Sequence, residues 1–206
     1  MSNIYPVIEI FKSFQGEGRE IGKEVIFLRL AGCNLKCPWC DTKESWSVKN
    51  SRKMTITEII DECLALGVKR IVITGGEPTI YNLDMLSKEL WEAGFTLSLE
   101  TNGINYFNRQ YFNYVAVSPK PPHYIINDDI SYNDIKLVID ENITEEIFLE
   151  ILGKTNITQL IYLQPEGTNP IKSLERIKKL FEIPLSKNLS SRIRLGIQAH
   201  KYWGVL

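Results

Sequence analysis

The sequence lacks the marks of several protein classes. No apolar run approaches the ~18 residues of a membrane span. Only 4 cysteines are spread over 206 residues, too few for a disulfide scaffold, and 13 Gly with 9 Pro are too few for collagen or low-complexity sequence. Neither sign of charge dominates: 24 Lys+Arg stand against 25 Asp+Glu, which argues against a protein held to nucleic acid mainly by phosphate contacts. The one basic stretch, Lys49–Lys53 (KNSRK), reads as a solvated loop. The start, MSNIYPVIEIF, has no charged n-region, long apolar h-region or small-residue cleavage site, and the end, HKYWGVL, has no lipidation motif. The expectation is a cytoplasmic protein, in a reducing compartment, with neither membrane nor nucleic acid as partner. A hydrophobic content of 44% is enough for one core, so residues 1–206 are expected to form a single domain.

Short β-rich runs alternate with helical patterns. Val25–Leu30 reads as a strand. Thr55 and Glu58 form a capping box that opens a helix whose apolar face is Ile59, Ile60, Cys63 and Leu64. Arg70–Thr74 is the continuous apolar run of a strand buried on both faces. Leu83, Leu86 and Leu90 keep helical spacing up to Gly94. Strands follow at Phe95–Glu100, Tyr114–Val117, Ile135–Ile139, Gln159–Leu163 and Arg192–Ile197. Helices are expected at Glu145–Leu152 and from Asn169-Pro170 onward, the latter turning Leu174, Ile177 and Phe181 inward. This alternation predicts right-handed βαβ units, a mainly parallel sheet and an α/β fold. A full (β/α)₈ barrel typically takes ~250 residues, so an incomplete barrel is expected, with its ligand site at the carboxyl ends of the strands.

That is where the cysteines fall. Val25–Leu30 runs into Cys33-Asn34-Leu35-Lys36-Cys37-Pro38-Trp39-Cys40, a C-x₃-C-x₂-C spacing. Soft thiolates select zinc, copper(I) or iron–sulfur. A structural zinc or an ordinary cubane takes four protein ligands, and the remaining cysteine, Cys63, sits on a helix face where it reads as a small core hydrophobe. Three thiolates leave one iron of a [4Fe–4S] cluster open. A zinc site completed by His123 or His200 is the competing reading. One βα unit later, at a second strand end, comes Thr74-Gly75-Gly76-Glu77-Pro78, whose paired glycines allow close backbone approach. The two motifs, in this order, resemble the radical S-adenosylmethionine (SAM) superfamily. The resemblance implies SAM chelated at the open iron and cleaved to a 5′-deoxyadenosyl radical.

Further segments narrow the resemblance. Phe14-Gln15-Gly16-Glu17-Gly18 places an amide and a carboxylate near the strand ends. Cys40-Asp41-Thr42 offers a carboxylate and hydroxyl to a hard cation, or forms an Asx turn. With LETNG, Ser118-Pro119-Lys120, LQPEG and QAHKYWG, these segments are similar over nearly the whole chain to the 7-carboxy-7-deazaguanine synthase family. Members of that family are homodimers that convert 6-carboxy-5,6,7,8-tetrahydropterin to 7-carboxy-7-deazaguanine with loss of ammonia, on the route to queuosine and tRNA modification, using a [4Fe–4S] cluster, SAM and Mg²⁺. Carried over by motif, the resemblance implies that Cys33, Cys37 and Cys40 hold the cluster and Thr42 the Mg²⁺. Trp39, Cys40, Asp41, Gly76, Ser118, Pro119, Lys120, Gln164, Pro165 and Glu166 would form the SAM pocket. Phe14, Gln15, Gly16, Arg29 and Thr74 would face the pterin, with Glu17, Glu100 and His200 beside them. Plainer readings stand next to two of these: Arg29 as a strand residue paired to a carboxylate, His200 as a satisfied surface histidine. Glu77 reads as structural. Flavodoxin or ferredoxin is the expected electron donor by analogy. The competing readings are a glycyl-radical-enzyme activase, with the same cysteine spacing, and a non-enzymatic iron–sulfur or zinc module.

Overall fold

In the structure, a computed structural model that describes residues 4–205, nine strands form one sheet. In chain order they are β1 (Ile4–Phe14), β2 (Glu24–Leu30), β3 (Arg52–Thr55), β4 (Arg70–Gly75), β5 (Thr96–Thr101), β6 (Tyr114–Val117), β7 (Asp134–Ile139), β8 (Leu160–Pro165) and β9 (Ile193–Leu195). The helices are α1 (Ile56–Ala65), α2 (Asp84–Glu92), α3 (Glu145–Gly153), α4 (Pro170–Phe181), α5 (Lys187–Ser190) and α6 (Ala199–Trp203). The sheet order is β3-β1-β2-β4-β5-β6-β7-β8-β9. From β2 to β9 every neighbouring pair is parallel, while β1 runs antiparallel to both β2 and β3. Among the described residues no ladder joins β9 to β3, so the barrel is open, as its length implied.

The pleat sorts the strands' side chains into two layers. Leu28, Leu30, Ile71, Ile73, Leu97, Leu99, Ile135, Leu137, Ile139, Ile161 and Leu163 belong to the hydrophobic core, where α1, α2 and α4 pack against the sheet. The alternate positions Arg29, Thr74, Ser98, Glu100, Lys136 and Gln164 are polar and point to the other face. Each fully buried Leu or Ile contributes roughly 1.5–3 kcal/mol, so the helix side carries the stability and leaves the inner face free for chemistry. The short turn Gly18–Glu20 fills the amino-terminal end of that inner face: Arg19 pairs with buried Asp134 at 2.6 Å, and Glu20 accepts from Ser98 Oγ.

The structure differs from the sequence reading at definite places. The basic stretch Lys49–Lys53 is not all loop: its last two residues, Arg52 and Lys53, open edge strand β3, paired with Ile4–Val7, and their charges suit an exposed edge. Leu64 is exposed, because the inward stripe of α1 is Ile56, Ile59 and Cys63. In α4 the inward residues are Ser173, Ile177 and Leu180, while Leu174 and Phe181 lie outward. Ser173 takes the inner position because its hydroxyl donates to Ile139 O and accepts from Glu166 N. The capping box of α1 is formed as expected, Thr55 and Glu58 bonding reciprocally. Among the described residues no helix is long and apolar enough to cross a membrane.

Candidate active site

A cavity of about 250 Å³ opens at the carboxyl ends of the strands. Cys33, Cys37 and Cys40 all line it, on the loop that leaves β2. Their thiols are free, and burial raises Cys33 and Cys37 above the ordinary thiol value. The loop is anchored by neighbouring strand ends. Trp39 Nε1 donates to buried Asp140 Oδ2 at 2.7 Å, just past β7, and Asn102 Nδ2, just past β5, donates to Asn34 Oδ1 at 2.8 Å. Lys120 Nζ stands 5.3 Å from the centre of the Trp39 ring, a cation–π distance. Burial, with the like charge of Lys136 next, lowers the Lys120 ammonium below its usual value.

The Gly-Gly turn closes against this loop. A Cβ on Gly75 would lie 2.2 Å from Leu30 O, and one on Gly76 would lie 2.3 Å from Gly32 O. The close approach these glycines permit is thus to the cysteine loop's own backbone, which Gly76 N (to Leu30 O) and Glu77 N (to Gly32 O) then bond. Both glycines also line the cavity. Glu77 is 1% exposed, and its carboxylate accepts from Thr79 N, Thr79 Oγ1, Thr101 Oγ1 and Asn102 N. Its four protein partners account for it as structural. Burial pushes its carboxyl up, with the four donors pulling the other way.

The opposite wall is a charge cluster. Lys136 Nζ on β7 lies 2.5 Å from Glu17 Oε2 and 3.1 Å from Glu100 Oε1. Gln15 Nε2 also donates to Glu100 Oε1, and Gln164 Nε2 and Gln198 Nε2 both donate to Glu17 Oε1. Burial alone would raise the Glu17 carboxyl, but Lys136 outweighs it and holds the group down at about 2. Gln198 leads into α6, which lies across the rim: Ala199 N donates to Gly16 O, and His200 covers Gly16.

Most residues named from the sequence meet here. Phe14, Gln15, Glu17, Arg29, Trp39, Asp41, Thr42, Thr74, Gly76, Glu100, Ser118, Lys120, Gln164 and His200 line the cavity with the three cysteines. Arg29 lines the cavity and is paired, as the plainer reading had it, to a carboxylate, donating to Glu9 Oε1 at 2.7 Å. Four of the named residues are not among those lining this cavity. Gly16 faces His200, Pro119 is not in the lining, and Pro165 lines a side recess with Gly167 and Lys201. Glu166 turns away altogether, its carboxylate accepting from Thr168 N and Asn169 N at the start of α4. Lys136, Asp140 and Gln198 were not named from the sequence. Only Lys136 left a signal there, a lone cation in the apolar run Asp134–Ile139.

Gly16 yields a direct prediction. A Cβ there would lie 2.3 Å from His200 Nδ1 and 2.7 Å from its backbone N, so α6 must move. Gly16→Ala is expected to lower kcat/KM about 100-fold through misplacement of the rim, with iron content unchanged by chemical assay.

The donor set fits a group held by three thiolates. The fourth cysteine, Cys63, is fully buried on the core side, and burial pushes its thiol up to about 12. Of the two histidines that could complete a zinc site, His123 is exposed and outside the lining, while His200 lines the cavity and lies against Gly16. Thr42 Oγ1 and Asp41 Oδ1 stand 3.1 Å apart at the rim, hard oxygens of the kind Mg²⁺ takes.

Comparison with known proteins agrees with this geometry. The sequence profile of the radical SAM superfamily matches residues 28–155. A 7-carboxy-7-deazaguanine synthase of Synechocystis sp. is 35% identical over 204 residues, covering 98% of this chain and 93% of the relative. The enzyme of the same name from Haemophilus influenzae is 32% identical over 206 residues, covering 98% and 94%. Among solved structures, that of QueE from Escherichia coli matches with a TM-score of 0.75 at 27% identity, over 96% of this chain and 95% of that one.

Proposed function

The chain belongs to the radical SAM superfamily and, within it, to the 7-carboxy-7-deazaguanine synthases, and on that premise we propose how its cavity converts 6-carboxy-5,6,7,8-tetrahydropterin to 7-carboxy-7-deazaguanine with release of ammonia. These relatives support the pterin enzyme over an activase or an iron–sulfur module. The observation that carries the reading is one cavity lined by Cys33, Cys37 and Cys40 together with Glu17, Glu100 and Gln15. When bound, the [4Fe–4S] cluster and SAM supply the radical that takes hydrogen from the substrate.

The chain's own residues position and enclose. Cys33, Cys37 and Cys40 hold the cluster. Gly76, Ser118, Lys120 and Gln164 shape the SAM side. A pterin edge presents ring N–H and amino donors, and the side-chain oxygens of Glu17 and Glu100 are acceptors for them. Arg29 and Thr74 face the ring from β2 and β4, paired in register across those strands. Thr42 would hold Mg²⁺, whose chemistry there would be orientation and polarisation of the substrate carboxylate. Phe11, Phe14 and Phe27 give the cavity an apolar stretch of lining. The reading includes a second copy of the chain, flavodoxin or ferredoxin as electron donor, and a reducing cytoplasm.

Anaerobic reconstitution followed by product analysis with and without Mg²⁺ tests it. Thr42→Ala is expected to lower turnover at least about 10-fold at limiting Mg²⁺ with full iron content. Full activity of the metal-free enzyme overturns the Mg²⁺ role.

A further inference from the structure

Lys136 is the one charged residue in the otherwise apolar stretch Ile135–Ile139, and its side chain is 7% exposed. Lysine is almost never buried unless paired. Here the ammonium bridges two carboxylates from different parts of the fold, Glu17 after β1 and Glu100 on β5. No described residue donates to Glu100 Oε2, so that acceptor is left to the cavity. We propose that Lys136 is the positioning residue of the substrate wall: it clamps Glu17 and Glu100 into a single ionised acceptor edge for the N–H groups of the heterocycle, without touching the substrate itself. The identity of the ligand rests on the function proposed above; the clamp does not.

The physical argument is one of like charges. Two carboxylates sharing one buried point cannot both stay ionised without a cation, and one of them takes up a proton near neutral pH. A protonated carboxyl then presents an O–H where the ring needs an acceptor. The other titratable groups facing the pair are Lys120 after β6, His200 on α6 and Tyr114 on β6, whose phenol donates to Asp134. Lys120 is committed to Ser118 and the Trp39 ring, and His200 lies against Gly16, so neither replaces the clamp.

The test compares Lys136→Met, Lys136→Arg and the double variant Lys136→Met/Glu17→Gln. Two measurements are made: ¹³C NMR titration of labelled Glu carboxyls in substrate-free protein, and the pH profile of kcat/KM. Of the two carboxyls, Glu17 is expected to stay ionised through the neutral range in the parent protein, held low by Lys136. In Lys136→Met one should titrate between about pH 6 and 8. Its kcat/KM should then be about 100-fold low at pH 6 and climb as the shared proton leaves. Lys136→Arg keeps the charge and should keep the flat profile. The double variant removes the like-charge conflict, so it should lose the neutral titration and exceed the single variant in soluble yield. A Lys136→Met profile parallel to the parent's, a spectrum without a new titration, or a double variant no better behaved than the single overturns the clamp. If the expected NMR titrations appear but the parent protein does not convert the pterin, the function falls and the clamp stands.

Discussion

Cys37→Ala is expected to reduce SAM cleavage at least about a thousandfold after anaerobic reduction, with most cluster iron lost, because a three-thiolate site has no spare ligand. The fourth cysteine makes the internal control. Cys63 lies at 0% exposure on α1, facing the core rather than the cavity. With its thiol pushed up to about 12, it is not a thiolate at neutral pH. Cys63→Ala should therefore keep full iron and full SAM cleavage and cost only about 1 kcal/mol, from the small void it leaves. The melting temperature should fall by roughly 2–4 °C. The two variants thus separate along different axes, iron content for one and stability for the other. Equal iron loss in both would make Cys63 a ligand too, and full iron in Cys37→Ala would mean that the cluster sits elsewhere than the loop after β2.

What the sequence disclosed depended on whether a residue's job was local. The cysteine spacing and the Gly-Gly turn are contiguous, so their chemistry could be read directly, as could the α1 capping box. The parallel strands were legible for a related reason: buried on both faces, they read as apolar runs. Strand β1 was not recognised. It is antiparallel and partly exposed, it carries Pro6 in the segment that pairs with β3, and its register with β2 shifts between Val7 and Glu9. That shift breaks the alternation a strand is recognised by. The inward face of α4 was misjudged because a serine took a core position, its hydroxyl satisfied by Ile139 O. Glu166 was carried over with its motif, but its carboxylate is taken by the first amides of the next helix. Lys136 and Asp140 act through partners 119 and 101 residues distant in the chain, Glu17 and Trp39. No local pattern encodes such pairs; only the sheet order brings them together.

Glu77→Ala is expected to be the most destabilising single change in the site. All four groups around the carboxylate are donors, and two are backbone amides, Thr79 N and Asn102 N, that cannot rotate away. The two threonine hydroxyls can turn to each other, standing 3.3 Å apart. The amides cannot, and a buried donor left unmatched costs about 1–3 kcal/mol. With the lost carboxylate bonds the total comes to about 3–5 kcal/mol. In a chain of this size that is a fall in melting temperature on the order of 10 °C. Glu77→Gln retains one oxygen but sets an amide N–H against a donor, so it should fall between parent and alanine. The effect should also reach the cluster loop, since Asn102 holds Asn34 and Glu77 N holds Gly32 O. Thermal denaturation of all three proteins, with turnover measured well below the lower transition, separates structure from chemistry. A supporting carboxylate predicts large loss of stability with turnover in Glu77→Gln within about 10-fold of the parent. A melting temperature unchanged within 2 °C, as is usual for a substitution far from any such network, would refute the supporting role. Collapse of turnover in a fully stable Glu77→Gln would instead make this carboxylate part of the chemistry.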